Sequence, residues 1–271
     1  MTRLSPRHPR YASLRTRARL AESARKGIVV PEGLIAHGRA EAFDYFLGER
    51  TTPSAREAIR AAASWLVNAE RPVVSVNGNV ASLAASSIAA LQRARPGLRV
   101  EVNLFHRTPG RAARIARVLT DAGVHDVLGV RPTGRIPGLP SDRARVDRRG
   151  ILVGDVCLVP LEDGDRTEAL QAMGKRVIAI DLNPLSRTAR AADIPIIDEL
   201  RRALDVLARE VRRVGPRRPG RFDPFDARRA LRAAQAAMAR GLQRAGGRPR
   251  SEPRASPRSS RATPRRLRRT P

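Results

Sequence analysis

Apolar runs in this chain alternate with segments whose hydrophobic residues recur every three to four positions. Short apolar stretches predict strands near Val73–Val76, Leu98–Asn103, Asp126–Val130, Val153–Pro160, Arg176–Ile180 and Ile194–Ile197. Helical spacing predicts helices near Leu83–Arg93, Thr108–Ala122, Arg166–Met173, Ser186–Ala191 and Glu199–Val214. Strands interleaved with helices imply an α/β fold: a Rossmann-like, mostly parallel, doubly wound sheet. Upstream, residues 10–26 read as an amphipathic helix closed by Gly27. Val29–Arg39 reads as an apolar segment broken by glycines, with a short helix near Glu41–Leu47. A further helix begins at Pro53-Ser54, with Ser54 as its cap, and ends near Ala69. Residues 131–150 read as a long irregular loop. The expected organisation is an α/β domain over 1–214, an Ala/Arg-rich helix over 215–245 and a disordered Arg/Pro/Ser tail over 246–271.

In an open α/β sheet, ligands bind just beyond the carboxyl ends of the strands. Here those ends are polar. Val156–Leu161 runs into Glu162-Asp163-Gly164-Asp165-Arg166-Thr167-Glu168, and Val177–Ile180 into Asp181-Leu182-Asn183-Pro184-Leu185-Ser186-Arg187. The first strand ends in Asn77-Gly78-Asn79, where free amides at a helix start can hold an anion. This segment is neither a P-loop nor a dinucleotide fingerprint, and a tight turn chosen for geometry explains it equally well. Thr108 is a natural helix cap, and Arg107 beside it can meet a phosphate with its planar fork. Glu162, Asp163 and Asp165 crowd together and imply a cation, whether Mg²⁺, a substrate amine or Arg166 next door, although Asp165 with Glu168 also fits a capping box. Asp181 at a strand end can accept from a ribose hydroxyl, with Asn183, Arg187 and Thr188 available for phosphate or base edges.

Charge and composition add limits rather than a function. The formal net charge is +27, and more than half of it falls in residues 211–271. Lys26 and Lys175 are the only lysines, so the arginine excess reads as a codon bias as readily as a binding surface. An aromatic content of 3% is too low for a set of base-stacking platforms. No run of about 18 apolar residues is present, so no membrane span is expected. The N-terminus lacks the apolar core of a secretory signal, and Cys157, the sole cysteine, sits mid-strand as a buried hydrophobe. A soluble, cytoplasmic protein is expected.

Seven ordered blocks resemble the archaeal phosphopantothenate synthetases, the 4-phosphopantoate–β-alanine ligases of coenzyme A biosynthesis. They are His8–Tyr11, Gly33–Tyr45, Val74–Ala81, Val102–Phe105, Arg135–Leu139, Val159–Leu170 and Asp181–Arg187. The resemblance implies ATP-dependent condensation of (R)-4-phosphopantoate with β-alanine through an acyl adenylate, releasing AMP and pyrophosphate, in a homodimer with a Rossmann-like core. It also implies ATP contacts at Arg17, Arg39, Asp181, Leu182, Asn183, Arg187, Thr188, Glu199 and Leu200. A serine is usual in the family where Thr188 stands, and an asparagine where Glu199 stands.

Charge and loop position supply the remaining expectations. Arg107 and Arg135 are expected to hold the substrate phosphate, with Asn77 and Asn79 lining the same pocket. Glu162 and Asp165 are expected to meet Mg²⁺ or the β-alanine ammonium, and His37 to orient a phosphate or deprotonate the amine. The metal ligands are not specified by this reading. The alternatives are a nucleic-acid-binding protein using the arginine-rich tail, or an α/β nucleotide hydrolase.

Overall fold

A computed structural model describes residues 5–8, 10–215 and 217–246, with side chains to residue 244. The tail expected over 246–271 lies almost wholly outside the described residues. Six parallel strands form one sheet: β1 (Val73–Val76), β2 (Arg99–Val102), β3 (Val127–Leu128), β6 (Val156–Pro160), β7 (Arg176–Asp181) and β8 (Ile194–Ile197). Their order is β3-β2-β1-β6-β7-β8. The expected Rossmann-like α/β fold is therefore present, and the strand order reverses between β1 and β6. At that reversal the crossovers leave on opposite sides and open a crevice.

The helices are α1 (Tyr11–Arg25), α2 (Pro31–Leu47), α3 (Pro53–Asn68), α4 (Gly78–Ala94), α5 (Pro109–Asp121), α6 (Gly164–Ala172), α7 (Arg187–Ala191), α8 (Leu200–Arg213) and α9 (Ala227–Gly246). Helices α3, α4 and α8 cover one face of the sheet through small and aliphatic residues such as Ala58, Ala62, Ile88, Leu204 and Leu207. Each fully buried leucine there contributes about 1.5–3 kcal/mol. Cys157 lies at the centre of β6, and burial pushes its thiol up to about 12, as suits a packed hydrophobe.

Several local expectations are revised. Val29–Arg39 is not a broken segment: Pro31 starts α2 at its first turn, after extended Val30, and the helix runs through Gly33 and Gly38. Gly33 is required there because the Asn79 side chain occupies the space of a β-carbon. Thr52, not Ser54, caps α3, accepting from Ala55 N–H at 3.2 Å, because Pro53 takes the first helical position. Asp163, not Asp165, occupies the N-cap position of α6, and its side chain makes no capping bond. Residues 131–150 contain a small antiparallel hairpin, β4 (Gly134–Arg135) with β5 (Arg145–Val146), joined through a 3₁₀ turn at Asp142–Ala144. The strand expected from Val153 starts only at Val156, because Lys175 Nζ holds the carbonyls of Leu152 and Gly154 in the preceding turn, at 2.9 and 2.8 Å.

The C-terminal segment is strapped onto α3. Trp65 Nε1 donates to the Asp223 carbonyl at 3.0 Å, and Asn68 Nδ2 donates to that of Arg221 at 3.0 Å. Phe222 stacks edge-on against Trp65 with ring centroids 5.7 Å apart. This strap delivers α9 to the outer side of α2.

Candidate active site

Asn77 ends β1 and stitches the crevice. Its Oδ1 caps α4 by accepting from Val80 N–H at 3.1 Å, and its Nδ2 donates to the Leu161 carbonyl beyond β6 at 2.8 Å. Asn79 Nδ2 donates to the Gly33 carbonyl at 2.8 Å and draws α2 over the opening. The result is a cavity of about 460 Å³ bounded by α2, the start of α4 and the loops after β2, β6, β7 and β8. Its position is the one an open doubly wound sheet reserves for ligands. His37, Arg39, Asn77, Asn79, Glu162, Asp165, Asp181, Leu182, Asn183, Glu199 and Leu200 all line it.

At one end, the turn after β7 is held by its own side chains. Asp181 Oδ1 accepts from Asn183 N–H at 2.9 Å, and Asn183 Oδ1 accepts from Leu185 N–H at 2.9 Å. Ser186 Oγ donates to Asp181 Oδ2 and also caps α7, accepting from Ala189 N–H at 3.0 Å. Burial pushes the Asp181 carboxyl above its ordinary value, opposed by these hydrogen bonds and by the charge of Arg39. An acid at this strand end, with a guanidinium opposite and Phe43, Leu182 and Leu200 as apolar walls, suits a ribose, a phosphate and a flat base. Glu199 borders the cavity, but its two oxygens cap α8 by accepting from Arg201 and Arg202 N–H at 3.1 and 2.9 Å. Its carboxylate is thereby committed to the backbone.

At the other end, Glu162 is committed too. Its carboxylate sits between the guanidinium groups of Arg143 and Arg166, with Ser75 Oγ 3.1 Å away. Arg143 Nε also pairs with Asp163 at 2.8 Å. Arg166 is fully buried, and desolvation pulls its pKa down against the surrounding carboxylates. Burial likewise pulls Arg143 down to about 10, which leaves it charged at neutral pH. Glu162 is therefore an internal counter-ion to Arg143 and to Arg166, the latter one of the cations expected for this acidic cluster. Asp165 borders the cavity and makes no ion pair among the described residues. No cluster of three metal-ligating side chains occurs among those residues.

His37 faces the same space from α2. Its Nε2 is buried with no hydrogen-bond partner, and burial holds the ring below the usual histidine range, keeping it neutral at pH 7. A buried, unsatisfied ring nitrogen on a cavity wall is a group waiting for a ligand proton.

Other expected residues stand outside the lining. Arg107 uses its guanidinium to hold the Gly129 and Val130 carbonyls, the latter at 2.9 Å, and so pins the end of β3. Arg135 lies exposed on the hairpin. Neither belongs to the cavity lining with the other expected residues. Arg17 pairs with Glu41 at 2.8 Å between α1 and α2, and Arg187 pairs with Glu168 at 2.8 Å. Thr188 is buried, and its hydroxyl donates to the Glu162 carbonyl at 2.6 Å. It thereby ties the first turn of α7 to the loop after β6.

Two arginines that the sequence reading passed over do line the cavity: Arg111 and Arg143. Arg111 donates to the carbonyls of Ile28 and His106 at 2.9 and 2.6 Å. A signal for it existed. Helical side chains lean towards the N-terminus, so an arginine in the first turn of α5 reaches back to the end of β2. Arg143 comes from the turn inside the hairpin, and nothing in its local sequence marks it.

A family model described as phosphopantothenate/pantothenate synthetase matches residues 54–241. A relative from Thermococcus onnurineus, named 4-phosphopantoate–β-alanine ligase, is 52% identical over 216 residues, covering 78% of this chain and 82% of the relative. Relatives of the same name from Methanospirillum hungatei and Methanosarcina mazei are 55% and 51% identical over 74% and 77% of this chain, and each is covered over 82% of its own length.

Proposed function

The chain belongs to the phosphopantothenate/pantothenate synthetase family, and from that premise we infer that it is a ligase joining 4-phosphopantoate to β-alanine, a step of coenzyme A synthesis. Its identity to ligases of that name, over most of both chains, carries this reading. We propose further that the reaction consumes ATP and passes through an acyl adenylate. A carboxylate is a poor electrophile. When its oxygen attacks the α-phosphorus of ATP, pyrophosphate leaves; the neutral amine then attacks the acyl carbon, and AMP leaves with the C–O bond's electrons. Protein groups position and neutralise charge rather than form bonds.

The self-bonded turn Asp181–Ser186, one strand from the switch point and lining the same cavity, supports placing the adenosine there, with Asp181 on the ribose and Arg39 on the phosphates. Arg111, Arg143 and the free amides of the first turn of α4 suit the second anion, the phosphate of the acid substrate. His37 suits proton removal from the β-alanine ammonium, since its ring is held neutral and its Nε2 is unpartnered. Mg²⁺ usually reaches such sites on substrate phosphates with one or two carboxylates, and Asp165 is the candidate here. When bound it would neutralise phosphate charge.

Arg17, Arg187 and Thr188 are read as supports of this nucleotide end. A cytoplasmic homodimer acting on small molecules belongs to the same reading, and light scattering of the purified chain tests the dimer. For the reaction, the protein is incubated with ATP, Mg²⁺, 4-phosphopantoate and β-alanine. Formation of AMP and pyrophosphate dependent on both acid and amine is expected; ADP with free phosphate would overturn the AMP-forming route.

A further inference from the structure

Among the described residues none of helix α9 lines the cavity, yet the helix stands directly behind two of its walls. Leu231, Ala234 and Met238 recur along one stripe of α9 and are buried. They share a hydrophobic cluster with Leu47 of α2, Leu182 of the β7 turn and Ile197 of β8, against which Phe43 also packs. Phe43 and Leu182 line the cavity as well. Each therefore presents one side to the cavity and the other to the cluster that α9 completes.

Three independent contacts hold α9 in that place. Asp226 Oδ1 accepts from Arg229 N–H at 2.8 Å in the first turn, and the Arg229 side chain pairs with Glu57 of α3. Upstream, the strap through Phe222 and Asp223 is fastened to Trp65. Near the other end, Gly241 lies against the Phe46 carbonyl so closely that any β-carbon would overlap it. Only glycine lets α9 approach α2 this nearly. A helix that merely covered a surface would need none of this exactness of spacing.

We propose that α9 is a positioning element for the nucleotide end of the cavity. It clamps α2 and the Asp181–Ser186 turn from behind, and so sets the separation of Phe43 from Leu182, and with it that of Arg39 from Asp181. The ligand class, a nucleoside triphosphate, rests on the function proposed above. Leu231, Met238 and Gly241 are positioning residues, because none touches the ligand. Loosening such a wall by about an ångström costs a bound ligand its aligned contacts.

The test uses the full chain with Leu231→Ala, Met238→Ala and Gly241→Val, and with Leu207→Ala in the core away from α9 as the control. ATP affinity is read by calorimetry, and steady-state kinetics give KM for each substrate with kcat. The α9 variants are expected to weaken ATP binding and raise its KM by about tenfold or more, while kcat and KM for the acid stay within about threefold. Leu207→Ala is expected to lower the melting temperature without moving the KM for ATP. Should the α9 variants melt lower yet bind ATP as the unaltered chain does, the helix is only structural and the proposal falls. If Gly241→Val fails to fold, the two alanine variants still decide. Failure of the ligase reading shows up separately, as ATP binding by the unaltered chain without any amide product.

Discussion

The hydroxyl of Thr188 donates to the main-chain carbonyl of Glu162 across 2.6 Å, in the interior of the protein. That bond couples the first turn of α7, just past the turn proposed to hold the nucleotide, to the loop after β6, where the buried acid lies. Thr188→Val keeps the shape and leaves the carbonyl without its donor. Such a loss costs about 1–3 kcal/mol. A lower melting temperature and a raised KM for ATP are expected for valine, with serine retaining both; equal behaviour of valine and serine would remove the bond from the account.

Glu162 serves as counter-ion to two arginines. Glu162→Gln leaves Arg143 and Arg166 facing each other without it. Breaking a buried ion network by removing one partner destabilises by about 3–5 kcal/mol. Urea denaturation is expected to show that loss, and added Mg²⁺ is expected not to restore stability. Restoration by Mg²⁺ would return Glu162 to the role of a metal ligand.

His37 is held below its ordinary value by burial. The folded chain therefore prefers the neutral ring, so this group's contribution to stability is full above the unfolded value near 6.5 and is lost as pH falls towards the depressed folded value. For catalysis, the acid limb of the pH profile of amide formation is expected below the usual histidine range and absent in His37→Gln. ATP–pyrophosphate exchange, which needs no amine, should survive that substitution. A variant that loses both activities equally would assign His37 to binding instead.

Arg135 and Arg107 separate surface charge from site charge. Arg135→Ala should leave all Michaelis constants within about twofold, as is usual for an exposed position away from a site. Arg107→Ala should lower stability by freeing two loop carbonyls, without a selective rise in the KM for the acid. A selective rise for either would bring it back as a phosphate ligand.

Alternation of strands and helices was readable because buried parallel strands are uninterrupted apolar runs, and their polar carboxyl ends pointed to the edge of the sheet where the cavity lies. Helix α2 was not, because Gly33 and Gly38 read as breakers when only Asn79, distant in sequence, explains Gly33. The hairpin at 134–146 has strands of two residues, too short for any period to register. Which arginines face the cavity was also hidden. In a chain with 53 basic residues, Arg107 and Arg111 look alike in sequence, and only the helical turn between them sends one to the β3 loop and the other to the cavity. The span 215–245 read as an Ala/Arg-rich helix with no marked face; its buried stripe Leu231, Ala234, Met238 becomes legible once α2 offers a matching face.

The acid is proposed to be activated on the α-phosphorus of a nucleotide held in this cavity. Phosphopantoate labelled with ¹⁸O in its carboxylate, turned over with ATP and β-alanine, tests it by mass spectrometry of the products. One labelled oxygen in AMP is predicted, carried over when the amine displaces the adenylate. Label in inorganic phosphate, with AMP unlabelled, would contradict it.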